Sequence, residues 1–188
     1  MTKRMRFLVV GLLVLIFPLF MVQSEDLPFD RYPSALGFQV GRIAGIGISY
    51  QNWEGKIGYQ VAAGALYHPS MDDGHDVFNY NIGFEALYGL YADDFAKWLS
   101  GRLYAVGGVN HRGYQESVWD NDLGRYVDNG FKPEFGVGAG IGVEAVLFEH
   151  FAIATELVYG FFYMPNEPTL RQQFMIEMLP QVSIRYRY

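Results

Sequence analysis

Residues 174–188 read FMIEMLPQVSIRYRY, and their pattern decides the fold. Every second residue gives one face: Phe174, Ile176, Met178, Pro180, Val182, Ile184, Tyr186 and Tyr188. The other face is Met175, Glu177, Leu179, Gln181, Ser183, Arg185 and Arg187. A period of two is that of an extended strand, whose successive side chains point to opposite sides of a sheet. One side is apolar and aromatic, and the other carries the charge.

The same alternation recurs upstream. Leu36, Phe38 and Val40 alternate with Gly37, Gln39 and Gly41; beyond a tight Arg42-Ile43 connection, Ile46, Ile48 and Tyr50 alternate with Gly45, Gly47, Ser49 and Gln51. After a turn at Trp53-Glu54-Gly55, residues 56–67 put Ile57, Tyr59 and Val61 on one face and Lys56 and Gln60 on the other. Residues 78–91 repeat the pattern with Glu85 on the polar face, and Asp93-Asp94 reads as a turn. Residues 98–112 place Arg102 and Tyr104 inward. Residues 131–147 set Glu134, Glu144 and a series of glycines against Phe135, Val137, Ile141 and Val143. Glu149-His150 then turns the chain into 151–163, with Glu156 inward. That makes eight strands if the first two are separate rather than one bulged strand. Connections near Glu54, Asp93 and Glu149 are tight, and those at 68–77, 113–130 and 164–173 are long. An even strand count with short turns at one end and long loops at the other is the plan of a transmembrane barrel.

Composition agrees. Aromatics make up 17% of the 188 residues, which suits a barrel that sets aromatic girdles at both lipid boundaries. Tyr50, Tyr67, Tyr80, Tyr88, Tyr159, Tyr163 and Tyr186, with Trp53 and Trp98, are the expected girdle. There is no cysteine, so there is no disulfide, no thiolate metal site and no site for lipid attachment. A net charge of −6 argues against nucleic acid, which selects basic surfaces. At the N-terminus, Lys3, Arg4 and Arg6 precede an apolar run over residues 7–22, with Val22 and Ser24 at −3 and −1 of a cleavage site. This is the layout of an export signal, so 1–24 is expected to be a cleaved signal peptide and 25–188 the barrel domain. A soluble sandwich would also alternate; the leader, the aromatic count and the terminal aromatic favour the membrane.

With these features together, the chain resembles the small bacterial outer-membrane β-barrel proteins of the OmpX and OmpA-transmembrane type. The glycine-rich alternating strands, the tight/long rhythm and the ending Ile184-Arg185-Tyr186-Arg187-Tyr188 carry the likeness. It implies an all-β fold, an eight-stranded antiparallel transmembrane barrel in the outer membrane of a diderm bacterium, with its long loops on the cell surface. It also implies a closing strand that the barrel-assembly machinery reads through Val182, Ile184, Tyr186 and Tyr188. No further domain is expected beyond Tyr188. Outer-membrane lipid is the expected partner, the expected state is a monomer, and no cofactor or metal is expected.

The expected lumen lining is Lys56, Glu85, Arg102, Glu134, Glu144, Glu156, Glu177, Arg185 and Arg187. Eight strands leave an interior just wide enough for side chains. Buried charges must pair or cost several kcal/mol, so an ion-paired plug is the favoured reading. The inward glycines keep a narrow solute path as the alternative. Asp72, Asp73, Asp76, Asp120 and Asp122 lie in the long loops, as a solvated acidic rim or an external cation site. Some barrels of this kind modify lipid A, and the deacylases among them carry a His-x-Ser triplet on a strand. His68-Pro69-Ser70 has that spacing but falls at a loop entrance with proline between, so no enzyme is expected.

Overall fold

The computed structural model describes residues 28–68, 77–121 and 123–188; the expected leader lies outside them. A short helix, α1 (Pro28–Arg31), leads into β1 (Ser34–Gly41), β2 (Gly45–Glu54), β3 (Ile57–His68), β4 (Val77–Ala96), β5 (Leu99–Asp120), β6 (Arg125–Leu147) and β7 (Phe151–Tyr163). A second short helix, α2 (Leu170–Gln173), enters β8 (Phe174–Arg187). The strands pair antiparallel in chain order and β8 closes onto β1, forming one ring.

Which face turns outward is settled by exposure. Phe38, Ile48 and Ile184 are 60% exposed or more, whereas their neighbours Gln39, Ser49, Ser183 and Arg185 are buried. In water this arrangement would leave apolar surface on every strand. It suits a hydrocarbon solvent, where only a closed ring satisfies all backbone groups internally. The fold is therefore an eight-stranded antiparallel transmembrane β-barrel. At the turn end, Trp98 lies near Phe148, and Tyr186 near Phe151 and His150. At the loop end, Tyr80 stacks on Phe131, and Phe174 on Phe161 and Tyr163. These are the two girdles.

Four details differ from the sequence reading. Tight turning is expected at Asp93-Asp94, but β4 runs on through two register irregularities, between Gly89 and Tyr91 and between Asp94 and Ala96. The Ser100 hydroxyl donates to the Asp94 carboxylate across this irregular pairing, and the turn falls at Lys97-Trp98. The loop expected over 113–130 is mostly ladder, with Val118 opposite Val127 and Trp119 opposite Tyr126. These strand-forming residues extend the β5–β6 hairpin beyond the ring, and Gly124 at φ 61° supplies a left-handed position at its tip. Trp53 is not a girdle residue: β2 continues to Glu54, which leaves Trp53 on the inner face, 4% exposed. Lys56 does not line the lumen. It sits exposed in the Gly55-Lys56 turn, because β3 begins only at Ile57.

Candidate functional site: a filled lumen

The centre of the barrel is an amide–carboxylate network. Glu85 on β4 and Glu156 on β7 are joined by two glutamines from the flanking strands, Gln60 on β3 and Gln181 on β8. Gln181 Nε2 donates to Glu85 Oε1 at 3.0 Å and to Glu156 Oε2 at 2.9 Å. Gln60 Nε2 donates to Glu156 Oε1 at 2.8 Å and also to Glu85. The Tyr104 hydroxyl adds a bond to Glu156 Oε1 at 2.7 Å. Arg185 is fully buried and gives Nη2 to Gln39 and Gln60 and Nε to Ser49. Glutamine suits this role because one amide both donates and accepts, linking acids to arginines that could not touch directly.

Toward the turn end, Arg187 and Glu144 form an ion pair at 3.0 Å with both side chains wholly buried. Arg187 also donates to Gln51 Oε1 at 3.2 Å and to the Tyr32 carbonyl at 3.0 Å. The lead-in closes this mouth. Phe29 of α1 is 1% exposed, and the Arg102 guanidinium lies between its ring and that of Trp53, at 3.9 and 4.0 Å from the ring centres. A cation held between two aromatic faces out of water is a favourable contact. Phe29→Ala is therefore expected to lower stability by about 3–5 kcal/mol, read as the urea midpoint of the refolded protein in vesicles. A change below about 1 kcal/mol would mean that α1 does not seal the mouth.

Toward the loop end, the β1–β2 connection folds into the barrel instead of projecting from it. Ile43 and Ala44 are buried, and both of their backbone N–H groups donate to Gln181 Oε1, at 2.9 and 2.8 Å. The inward glycines make this possible. A Cβ on Gly83 would stand 2.2 Å from the Ala44 carbonyl, and one on Gly138 2.9 Å from Ile43 Cγ1. Glycines that look like open space in the sequence are the bed of an inserted turn. Ile43 joins Phe162, Val158, Val106, Leu87, Tyr104 and Trp53 in one apolar cluster. Above it, Arg42 forks onto Glu134 at 3.0 and 2.7 Å and reaches Glu177 at 3.0 Å, while Arg112 meets Glu134 at 2.8 Å.

Of the expected lining, Glu85, Arg102, Glu134, Glu144, Glu156, Arg185 and Arg187 are buried in the lumen. Glu177 lies at its rim with its side chain 40% exposed, and Lys56 lies outside it. The sequence reading missed Gln60 and Gln181 as bridges, Arg42 as the partner of Glu134, and Ile43 as a plug. The glutamines share the inward register with the charges, which was the available signal; an inserted turn has no periodic signal. Val182, Ile184 and Tyr186 face outward on β8, and the Tyr188 N–H donates to the Ser34 carbonyl at 2.9 Å.

Among the described residues the remaining candidates bring together no further site. Asp72, Asp73, Asp76 and Asp122 lie outside the described residues, as do Ser70 and His75, and Asp120 ends β5. Among the described residues no group of three or more His, Asp or Glu could hold a metal. His111 faces outward, stacked on Phe135 at 4.6 Å. Its Nε2 is 2.8 Å from the Tyr80 hydroxyl and its Nδ1 3.1 Å from the Glu134 carbonyl. Both ring nitrogens are thus occupied in the girdle.

Comparison with solved structures finds the N-terminal β-barrel domain of Pseudomonas aeruginosa OprF at 11% identity and a TM-score of 0.45, covering 82% of this chain and 95% of that one. A major outer membrane protein from Thermus thermophilus is similar at 11% identity and a TM-score of 0.43, covering 82% of this chain and 98% of that one. No family model matches the sequence. No curated protein matches it either. The fold assignment comes from the closed ring and its inverted surface.

Proposed function

We propose that this protein is an outer-membrane β-barrel with a closed lumen, serving envelope structure or surface interaction as a monomer rather than as a pore or an enzyme. The observation that carries this reading is the succession of three fillings along one axis. Phe29, Arg102 and Trp53 block the turn end, the Gln60–Glu85–Glu156–Gln181 network crosses the middle, and Ile43 with Phe162 fills the loop side. An eight-stranded ring has no width left around such fillings. The tight turns face the periplasm on this reading, and the long loops face the cell surface. The outward apolar residues of β8 are then what the assembly machinery reads.

Conductance tests it. Protein refolded into a planar bilayer, and shown to be folded by a heat-modifiable gel shift, is expected to give a silent membrane. Steady cation-selective steps that change with Glu144→Lys or Arg185→Glu would overturn the closed reading in favour of a narrow pore.

A further inference from the structure

The wall of the barrel is not complete on every side. Pairing of β1 with β8 ends at Val40–Val182, and pairing of β2 with β3 ends at Ile48–Ala63. The neighbouring ladders run further, β3–β4 to His68–Val77 and β7–β8 to Tyr163–Phe174. Among the described residues, the inserted β1–β2 turn thus leaves a gap between the registered ladders, flanked by the upper parts of β3 and β8. Its depth follows from strand geometry. An apolar band about 25 Å tall takes roughly ten tilted residues. Counted up β8 from the girdle residue Tyr186, the band ends near Ile176, so the gap opens within the loop-side leaflet.

The edge is adapted to this. Tyr188 N–H donates toward β1 and Arg187 N–H toward β7, so even-numbered N–H groups of β8 face the gap side. Pro180 is the first even position past the last registered pair. It has no N–H to leave exposed there.

We propose that the gap is a lateral groove for a single-chain amphiphile with a carboxylate head, taken from the loop-side leaflet. The proposal rests on the reading of the barrel as membrane-spanning. Two cavities, of about 210 and 400 Å3, lie on either side of Ile46 and share Ile46, Asn81 and Arg112. Their outer parts are apolar: Val40 and Pro180 on one side, Ala65 and Leu66 on the other. Leu66 sits on the inward register yet is 75% exposed, an apolar side chain turned to an open space. The inner ends are polar, and their only charged side chains among the described residues are the cations Arg42 and Arg112. An apolar mouth leading to guanidinium groups suits a hydrocarbon tail with an anionic head. The small volumes favour one chain over two. Glu134 takes one nitrogen of Arg112 and two of Arg42, and Glu177 takes the third of Arg42, so the open donors belong chiefly to Arg112, whose Nε is buried without a partner; they suit a singly charged head and oppose a bulky dianion.

The chain lacks cysteine, so single labels are clean. A fluorophore on Met178→Cys, outward on β8 beside the gap, is compared with one on Ile141→Cys, outward on the intact wall of β6. The refolded protein in phosphatidylcholine vesicles is titrated with nitroxide-bearing stearic acid, and folding of each variant is checked by the gel shift. Quenching at position 178 is expected to saturate, whereas that at 141 rises linearly with probe in the bilayer. Arg112→Gln should weaken the saturable binding about tenfold, and Arg112→Lys should keep most of it. Linear, equal quenching at both positions in folded protein overturns the groove while leaving the barrel intact. Equal saturation by the methyl ester, or by a phosphate-headed chain with the same nitroxide, overturns the carboxylate specificity. A protein that shows no gel shift fails the membrane-barrel reading itself.

Discussion

Gln181→Leu is expected to lower stability by about 3–5 kcal/mol, a large effect for one uncharged side chain. All four hydrogen-bonding positions of this amide are used. Its oxygen accepts from Ile43 and Ala44, and its nitrogen donates to Glu85 and Glu156. Leucine has similar bulk, so the loss comes from polarity rather than from a cavity. Two backbone N–H groups lose their acceptor and two buried carboxylates each lose a donor, at about 1–3 kcal/mol per orphaned group and less than additively. Gln181→Glu should be at least as damaging, since it keeps the acceptor but sets a third acid beside the other two. The urea midpoint of the vesicle-refolded protein measures both. Hydrogen exchange at Ile43 and Ala44 should quicken in the leucine variant. A loss below about 1 kcal/mol would show that the inserted turn is held by the apolar bed and the Arg42 pairs alone.

The second large effect belongs to the turn-end ion pair. Arg187→Met leaves Glu144, which has no solvent exposure, without its cation. Removing one member of a buried pair costs about 3–5 kcal/mol, because the other charge stays desolvated and unmatched. The double variant Glu144→Gln with Arg187→Met removes the stranded charge and should recover at least half of that loss in the same urea experiment. If the double variant is no better than Arg187→Met alone, the damage comes from the lost bonds to Gln51 and Tyr32 and not from Glu144.

The strand alternation made the ring legible in the sequence. Phe38 against Gln39, or Ile184 against Arg185, already separates lipid side from lumen side, because one residue of slip would reverse every strand. The charged lining followed from the same parity. Lys56 failed because the parity was carried one residue too far into a turn, and Trp53 failed because it was stopped too early. The plug was not legible for a different reason. Ile43 and Ala44 are ordinary residues in a short connection, and what pulls them inward is the coincidence of glycines at Gly83, Gly108 and Gly138 on three other strands. No window along the chain contains that coincidence. The extended β5–β6 hairpin was hidden because its acids and Gly124 resemble loop composition, while Val118, Trp119, Tyr126 and Val127 alternate for too short a stretch.

The joint between β1 and β8 is the shortest in the ring, with six registered pairs where β7 and β8 share thirteen. By ladder length alone it is where the cylinder should part under load. Yet Arg185 reaches from β8 past the joint to Gln39 on β1, Ser49 on β2 and Gln60 on β3, and Arg187 reaches Gln51 and the Tyr32 carbonyl. Five bonds span the seam from inside, all from β8. Pulled from its two ends, the molecule would have to shear these cross-ties together before the seam could unzip one rung at a time. The stretch of β8 that carries Arg185 and Arg187 thus acts as a rivet line, and the ring gains its mechanical strength only when both arginines are in place.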